Sequence, residues 1–117
     1  MAELTVYEKR TCTTCKNLAL LLQEEGIGFE RVDYHVEPLS EDEIRALAEK
    51  TGRPARELFR TSEPVHEELA LGEREVEDDE AIRLMAEHPE LMQRPVVVRR
   101  DRAVLARPVE RVRELLD

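Results

Sequence analysis

Two cysteines, Cys12 and Cys15, frame the segment Cys12-Thr13-Thr14-Cys15, and the chain has no others. Thiols at this spacing fit three chemistries: dithiol–disulfide exchange, half of a zinc site, or none where both are buried and inert. The neighbouring residues bear on the choice. The run Leu4-Thr5-Val6-Tyr7 predicts a strand just ahead of the pair. The residues after it predict a helix from Thr13 to about Glu25, stopped by Gly26. A cysteine at the start of such a helix meets free backbone N–H groups and the positive end of the helix dipole, and both stabilise thiolate. Cys12 then lies at the exposed end. Cys15 shares a helical face with Leu18 and Leu22, turns inward and stays within disulfide reach. This is the arrangement of an attacking cysteine and a resolving one.

Zinc needs two further ligands, and no second pair of cysteines exists. His35, His66 and His88 lack the short spacing of common zinc modules, and none has a neighbour that makes it a catalytic base. All three are read as structural, and no metal is expected. A structural disulfide would close only a tiny loop. Met1 to Glu8 carries acidic residues and no long apolar stretch, and no span approaches transmembrane length. A cytoplasmic protein with redox-capable thiols and no membrane association is therefore expected.

The chain has 117 residues, the size of one domain, and 41% of them are hydrophobic. Aromatic residues are few, so Leu and Val must fill the core. The formal charge is −9, which argues against direct nucleic-acid binding as a main role. Of the 18 basic residues, all but Lys9, Lys16 and Lys50 are arginine. The acidic run from Glu73 to Glu80 reads as solvated.

Three zones position the thiols. The first is β-α-β: Leu4 to Tyr7, the cysteine helix, then Phe29 to Tyr34. The middle zone is helical. Ser40 and Glu43 form a capping box ahead of Ile44, Leu47 and Ala48, and Gly52 stops that helix. Pro54 fits the first turn of a helix carrying Leu58 and Phe59. Ser62-Glu63-Pro64 opens another short one, ending between Leu69 and Gly72. Asp78 or Asp79 starts the last, with Ile82, Met85 and Ala86 on one face and Pro89 at its end. The final zone is β-β-α: Val96 to Val98, a turn at Arg100 to Arg102, Ala103 to Ala106, then a helix opened by Pro108 with Val109, Val112 and Leu116 inward. Together these predict an α/β fold, a mixed four-stranded sheet flanked by helices with a helical insertion. That is the thioredoxin-like plan, with a core at 1–37 and 93–117 and the insertion at 38–92.

Four stretches carry a resemblance over essentially the whole chain: Val6-Tyr7 through Cys12-Thr13-Thr14-Cys15-Lys16-Asn17, Glu57-Leu58-Phe59-Arg60-Thr61-Ser62-Glu63-Pro64, His88-Pro89-Glu90-Leu91-Met92-Gln93-Arg94-Pro95-Val96-Val97-Val98, and Leu105-Ala106-Arg107-Pro108. In order and spacing the chain resembles the glutaredoxin-type arsenate reductases and their Spx and YffB-like relatives. The resemblance implies that Cys12 attacks arsenate while Arg60, Arg94 and Arg107 hold the oxyanion. It also implies a cis Arg94-Pro95 bond beside the cysteine. Guanidinium groups suit this task, because they offer forked, permanently charged donors to tetrahedral oxygens and favour thiolate. Taken singly, any arginine in so arginine-rich a chain reads as a solvated surface charge.

Relatives of the plasmid type commonly have one active-site cysteine followed by Gly-Thr-Ser-Arg, and a histidine four residues before it. Here Glu8 stands for that histidine, Cys15 for the serine and Lys16 for the arginine. Glu8 is expected to be an exposed strand-end carboxylate. Cys15 makes the loop look like that of the Spx regulators. Three readings follow: an arsenate reductase with Cys15 as resolving thiol; a redox-sensing regulator of the Spx kind that binds RNA polymerase; or a glutathione-dependent or disulfide reductase with another substrate. The arginine set favours the first. The resemblance implies no bound cofactor, and glutathione, thioredoxin or glutaredoxin as electron donor and partner.

Overall fold

The computed structural model describes residues 4–116; residues 1–3 and 117, at the ends of the expected core segments, lie outside the described residues. Strand β1 spans Leu4–Glu8, helix α1 Thr13–Glu24, β2 Phe29–Asp33, α2 Glu41–Thr51, α3 Pro64–Glu68, α4 Asp78–Glu87, β3 Val96–Arg99 and β4 Arg102–Leu105. Three stretches of 3-10 helix complete the order, at Ala55–Leu58, Pro89–Leu91 and Val109–Leu115.

The strands form one mixed sheet in the order β2-β1-β3-β4. β1 pairs parallel with β2, placing Val6 opposite Arg31 and Glu8 opposite Asp33. It pairs antiparallel with β3, with Val6 opposite Val97, and β3 pairs antiparallel with β4. The expected thioredoxin-like architecture is the one present.

Strand alternation sorts the side chains into two cores. Leu4, Val6, Val97 and Val104 face α1 and the last 3-10 helix, where they meet Leu18, Leu22, Val112 and Leu115. Val96 and Ala103 face the other way, onto Ile44, Leu47, Leu58, Ile82, Met85 and Met92 of the middle zone. The segment 38–92 therefore covers one face of the sheet, and α1 with the C-terminal segment covers the other.

Local chemistry explains the element ends. Ser40 accepts from the Glu43 N–H at 3.2 Å while the Glu43 side chain accepts from the Ser40 N–H at 3.1 Å, and Gly52 ends α2 at φ 72°. Two predicted α-helices are instead 3-10. Pro54 precedes a four-residue 3-10 turn, and the C-terminal segment is 3-10 over Val109–Leu115. At three residues per turn Val109, Val112 and Leu115 line up, so Leu115 takes a fully buried place that α-helical spacing assigned to Leu116. Both Arg94-Pro95 and Arg107-Pro108 are cis, the first as expected and the second unforeseen.

Leu18 has no exposed surface and holds α1 against the sheet. Leu18→Ala is expected to lower the unfolding free energy by about 2–5 kcal/mol, from lost burial and the cavity left behind. Urea denaturation followed by circular dichroism checks it.

Candidate active site

Strand β1 ends at Glu8, and a tight turn leads to α1, with the Cys12 N–H donating to the Lys9 carbonyl at 3.0 Å. Cys12 is the N-cap of α1. Its extended backbone turns the sulfur back over the first turn, where it accepts from the Cys15 N–H at 3.4 Å. A sulfur in that position meets the unsatisfied N–H groups of the helix start. Cys15 lies one turn further on, 1% exposed, in line with Leu18 and Leu22. Both cysteines are free thiols.

The two sulfurs are driven in opposite directions. For Cys12, burial is the largest single influence and raises the pKa. Hydrogen bonds from Cys15 and from Arg94, with the Arg94 charge, outweigh it and bring the thiol below its ordinary value. For Cys15, burial dominates and pushes the thiol up to about 12, and the charges of Cys12 and Glu8 add to it. A hydrogen bond from the Lys9 backbone pulls the other way.

Arg94 faces Cys12 from the loop ahead of β3. It is 6% exposed, and its Nε and Nη1 are buried without a partner. A buried donor left unsatisfied costs about 1–3 kcal/mol, more when charged. These two nitrogens are therefore left with donor capacity that the surrounding protein does not use. The backbone of Arg94 is clamped on both sides. Its N–H donates to Gln93 Oε1 at 3.2 Å, and its carbonyl accepts from Arg107 Nη1 at 3.1 Å.

Arg60 arrives from the middle zone. The Arg60 N–H donates to the Leu91 carbonyl and the Gln93 N–H to the Leu58 carbonyl, both at 2.7 Å, and Phe59 bridges to Met92. This short antiparallel pairing ties the Arg60 segment to the loop carrying Arg94. The Arg60 side chain donates to Gln93 Oε1 at 2.8 Å and pairs with Glu63 Oε1 at 3.1 Å. One network thus gathers Arg60, Arg94 and Arg107, with Pro95 following Arg94, and the Arg94 charge acts on the Cys12 sulfur. Among the described residues, no group of three or more His, Cys, Asp and Glu gathers as metal ligands.

Three contributors were not foreseen. Gln93 links two of the arginines. Tyr34, buried near Arg94, donates its hydroxyl to the Met92 carbonyl and shapes the same loop. Burial, then the Arg94 and Lys9 charges, lower the pKa of the neighbouring His35, which stacks against Tyr34 at 4.7 Å. Glu8 overturns its expected exposure. It is 1% exposed and pairs with Arg31, whose Nε and Nη2 reach Glu8 Oε2 at 2.9 and 2.8 Å. The alternation Leu4, Val6, Glu8 was the available signal, since all three point to the α1 side.

Comparison with known proteins agrees with the fold. Residues 7–115 match the ArsC family. An arsenate reductase of Neisseria meningitidis is 30% identical over 117 residues, covering 99% of this chain and 100% of that one. An arsenate reductase of Escherichia coli is 34% identical over 116 residues, covering 99% of this chain and 82% of the relative. A solved arsenate reductase from Vibrio cholerae superposes with a TM-score of 0.89 at 32% identity, covering 97% of this chain and 98% of that one.

Alkylation read by mass spectrometry as a function of pH is expected to find Cys12 reactive near neutrality and Cys15 protected until the chain unfolds. Arg94→Gln removes a hydrogen bond and a positive charge from Cys12, so the midpoint of Cys12 alkylation is expected to move to higher pH.

Proposed function

The chain belongs to the ArsC family, and from that premise we propose that it is a thiol oxidoreductase that reduces arsenate to arsenite through Cys12. The observation that carries the proposal is the pairing of a Cys12 sulfur capping α1 with a buried Arg94 whose Nε and Nη1 are unspent. Arsenate is a tetrahedral oxyanion whose negative charge and oxygens match guanidinium donors. Arg94 is the central contact. Arg60 and Arg107, joined to it through Gln93 and the Arg94 carbonyl, complete the clamp. The relatives named arsenate reductase support this substrate.

Cys12 attacks as thiolate, the form favoured by its hydrogen bonds and by Arg94. An S–As bond forms and an oxygen leaves as water. Cys15 then attacks Cys12 Sγ. The S–As bond breaks, its electron pair stays on arsenic, and As(V) becomes As(III). Arsenite departs, leaving a Cys12–Cys15 disulfide that thioredoxin or glutaredoxin reopens by exchange. In the glutathione-coupled variant, glutathione attacks Cys12 Sγ first and leaves a mixed disulfide. The short separation of the cysteines supports Cys15 as the resolving thiol in either case.

Arsenate-dependent NADPH oxidation with purified protein tests the proposal, with thioredoxin and its reductase in one assay and glutathione, glutaredoxin and glutathione reductase in another. Cys12→Ser is expected to abolish turnover with both donors. Cys15→Ser is expected to slow thioredoxin-coupled turnover and to spare more of the glutathione-coupled rate. Arg94→Ala and Arg107→Ala are each expected to weaken arsenate binding by about 1–3 kcal/mol. No turnover with either donor, alongside a reversible Cys12–Cys15 disulfide, would direct the thiols to another substrate or to a redox-controlled partner such as RNA polymerase.

A further inference from the structure

Glu8 has no part in the steps above, yet it is a buried carboxylate beside the reacting thiols. It closes β1 on the face that α1 covers, in line with Leu4 and Val6. Arg31 converges on one carboxylate oxygen through two nitrogens and leaves the other, Oε1, buried with no partner. An acceptor oxygen held dry and unpaired is costly unless a donor reaches it at some stage. Cys15 lies on the same buried face of α1 as Leu18 and Leu22, which pack on Leu4 and Val6, so the thiol and the carboxylate share one side of the sheet, with Cys15 within the field of the Glu8 charge.

We propose that Glu8 is the general base for Cys15, taking its proton through Oε1, directly or through one water, as Cys15 attacks the adduct on Cys12. The proposal rests on the reading of Cys15 as the resolving thiol. In the step, the Cys15 S–H bond breaks and its proton goes to Glu8. The sulfur electron pair forms the Cys15–Cys12 S–S bond. The bond from Cys12 Sγ to the adduct breaks, and its pair leaves with arsenic or with the departing thiolate. Glu8 then releases the proton to solvent.

The chemistry favours such a base. While Cys12 is free, the Cys15 thiol stands near pKa 12 and is ionised in only about one molecule in 100,000 near neutral pH; an adduct on Cys12 removes that neighbour's share of the rise, and burial, the largest influence, remains. The exit for the proton is also present. Glu8 lines a solvent-open hollow with Arg10, Arg31, Asp33, Val36 and Glu37. The charged and titratable groups around the carboxylate are Arg31 and Asp33 from β2, Glu37 after it, Lys9 and Arg10 from the turn after β1, and Cys15 of α1.

Electrostatics and base catalysis predict opposite signs. The Glu8 charge raises Cys15, so neutralising it by Glu8→Gln eases ionisation and, through the field alone, speeds resolution. Loss of a base slows it, typically by about 100-fold or more. The probe is one equivalent of dipyridyl disulfide followed by stopped-flow absorbance. Cys12 releases the first thiopyridone and Cys15 the second. Loss of the second phase in Cys15→Ser establishes the resolving role on its own, whereas its persistence removes that role and the base with it. With that role intact, Glu8→Gln is expected to leave the first phase unchanged and slow the second at least tenfold near neutrality, and Glu8→Asp to restore part of it. A second phase as fast as wild type or faster in Glu8→Gln overturns the proposal. Wild type alone supplies a further test, independent of how the variants fold. A base gives a second phase that levels off with pH, while a rate rising tenfold per pH unit through the alkaline range overturns it.

Discussion

Burial of the Arg94 guanidinium is the constraint on which the rest of the site depends. A cation removed from water is costly unless a partner with opposite charge or good hydrogen-bonding geometry meets it. Here the Cys12 sulfur at the head of α1 lies within the field of the Arg94 charge, which helps to lower its pKa. The relation is mutual: the guanidinium favours the thiolate, and the thiolate offsets the desolvation of the guanidinium. Two donor nitrogens remain over. The protein side chains around them supply no further acceptor, and that surplus separates a ligand site from a closed structural ion pair.

The backbone around Arg94 is held from three directions, and each hold comes from a different part of the chain. Gln93 takes the Arg94 N–H and the Arg60 side chain on one oxygen. Arg107 takes the carbonyl from beyond β4. Tyr34, from the end of β2, bonds the Met92 carbonyl just ahead. The Arg60 segment reaches this loop through the pairing of Phe59 with Met92 rather than through the main sheet. The two hydrophobic cores on opposite faces of the sheet therefore both bear on the position of one guanidinium.

How much of this was legible in the sequence follows from the range of each interaction. The cysteine pair, the strand before it and the helix after it are local, and their roles in the fold could be read from spacing. The capping box at Ser40 and the stop at Gly52 are local too. The 3-10 form of 109–115 was not legible, because apolar residues at 109, 112, 115 and 116 satisfy both periods and only packing against β4 and α1 selects one. The arginines were out of reach of pattern reasoning in a chain so rich in them, and resemblance alone singled out Arg60, Arg94 and Arg107. The Gln93 bridge joins residues 33 apart in sequence, a relation that no local pattern encodes. Glu8 was misjudged for a different reason. Its residue type argued for the surface, while its register argued for the interior, and its partner Arg31 lies 23 residues away on a neighbouring strand.

The burial of Glu8 changes how the two thiols divide their work. A helix N-terminus lowers any thiol near it, and both cysteines lie in or beside the first turn of α1. Their opposite shifts must then come from what else surrounds them. Cys12 has the Cys15 hydrogen bonds and the Arg94 charge, whereas Cys15 has burial, the Cys12 sulfur and the Glu8 carboxylate. On the proposed mechanism such a gradient sets the order of events. The sulfur beside the cation is ionised first and meets the oxyanion, while the sulfur beside the carboxylate stays protonated and does not compete for it. Once Cys12 is capped by an adduct, its charge no longer opposes ionisation of Cys15. The Coulombic barrier to the second attack therefore falls only when that attack is needed. A pair of chemically identical residues acquires a direction chiefly from the burial of one and the hydrogen bonding of the other, with one cation near Cys12 and one carboxylate near Cys15 adding to it.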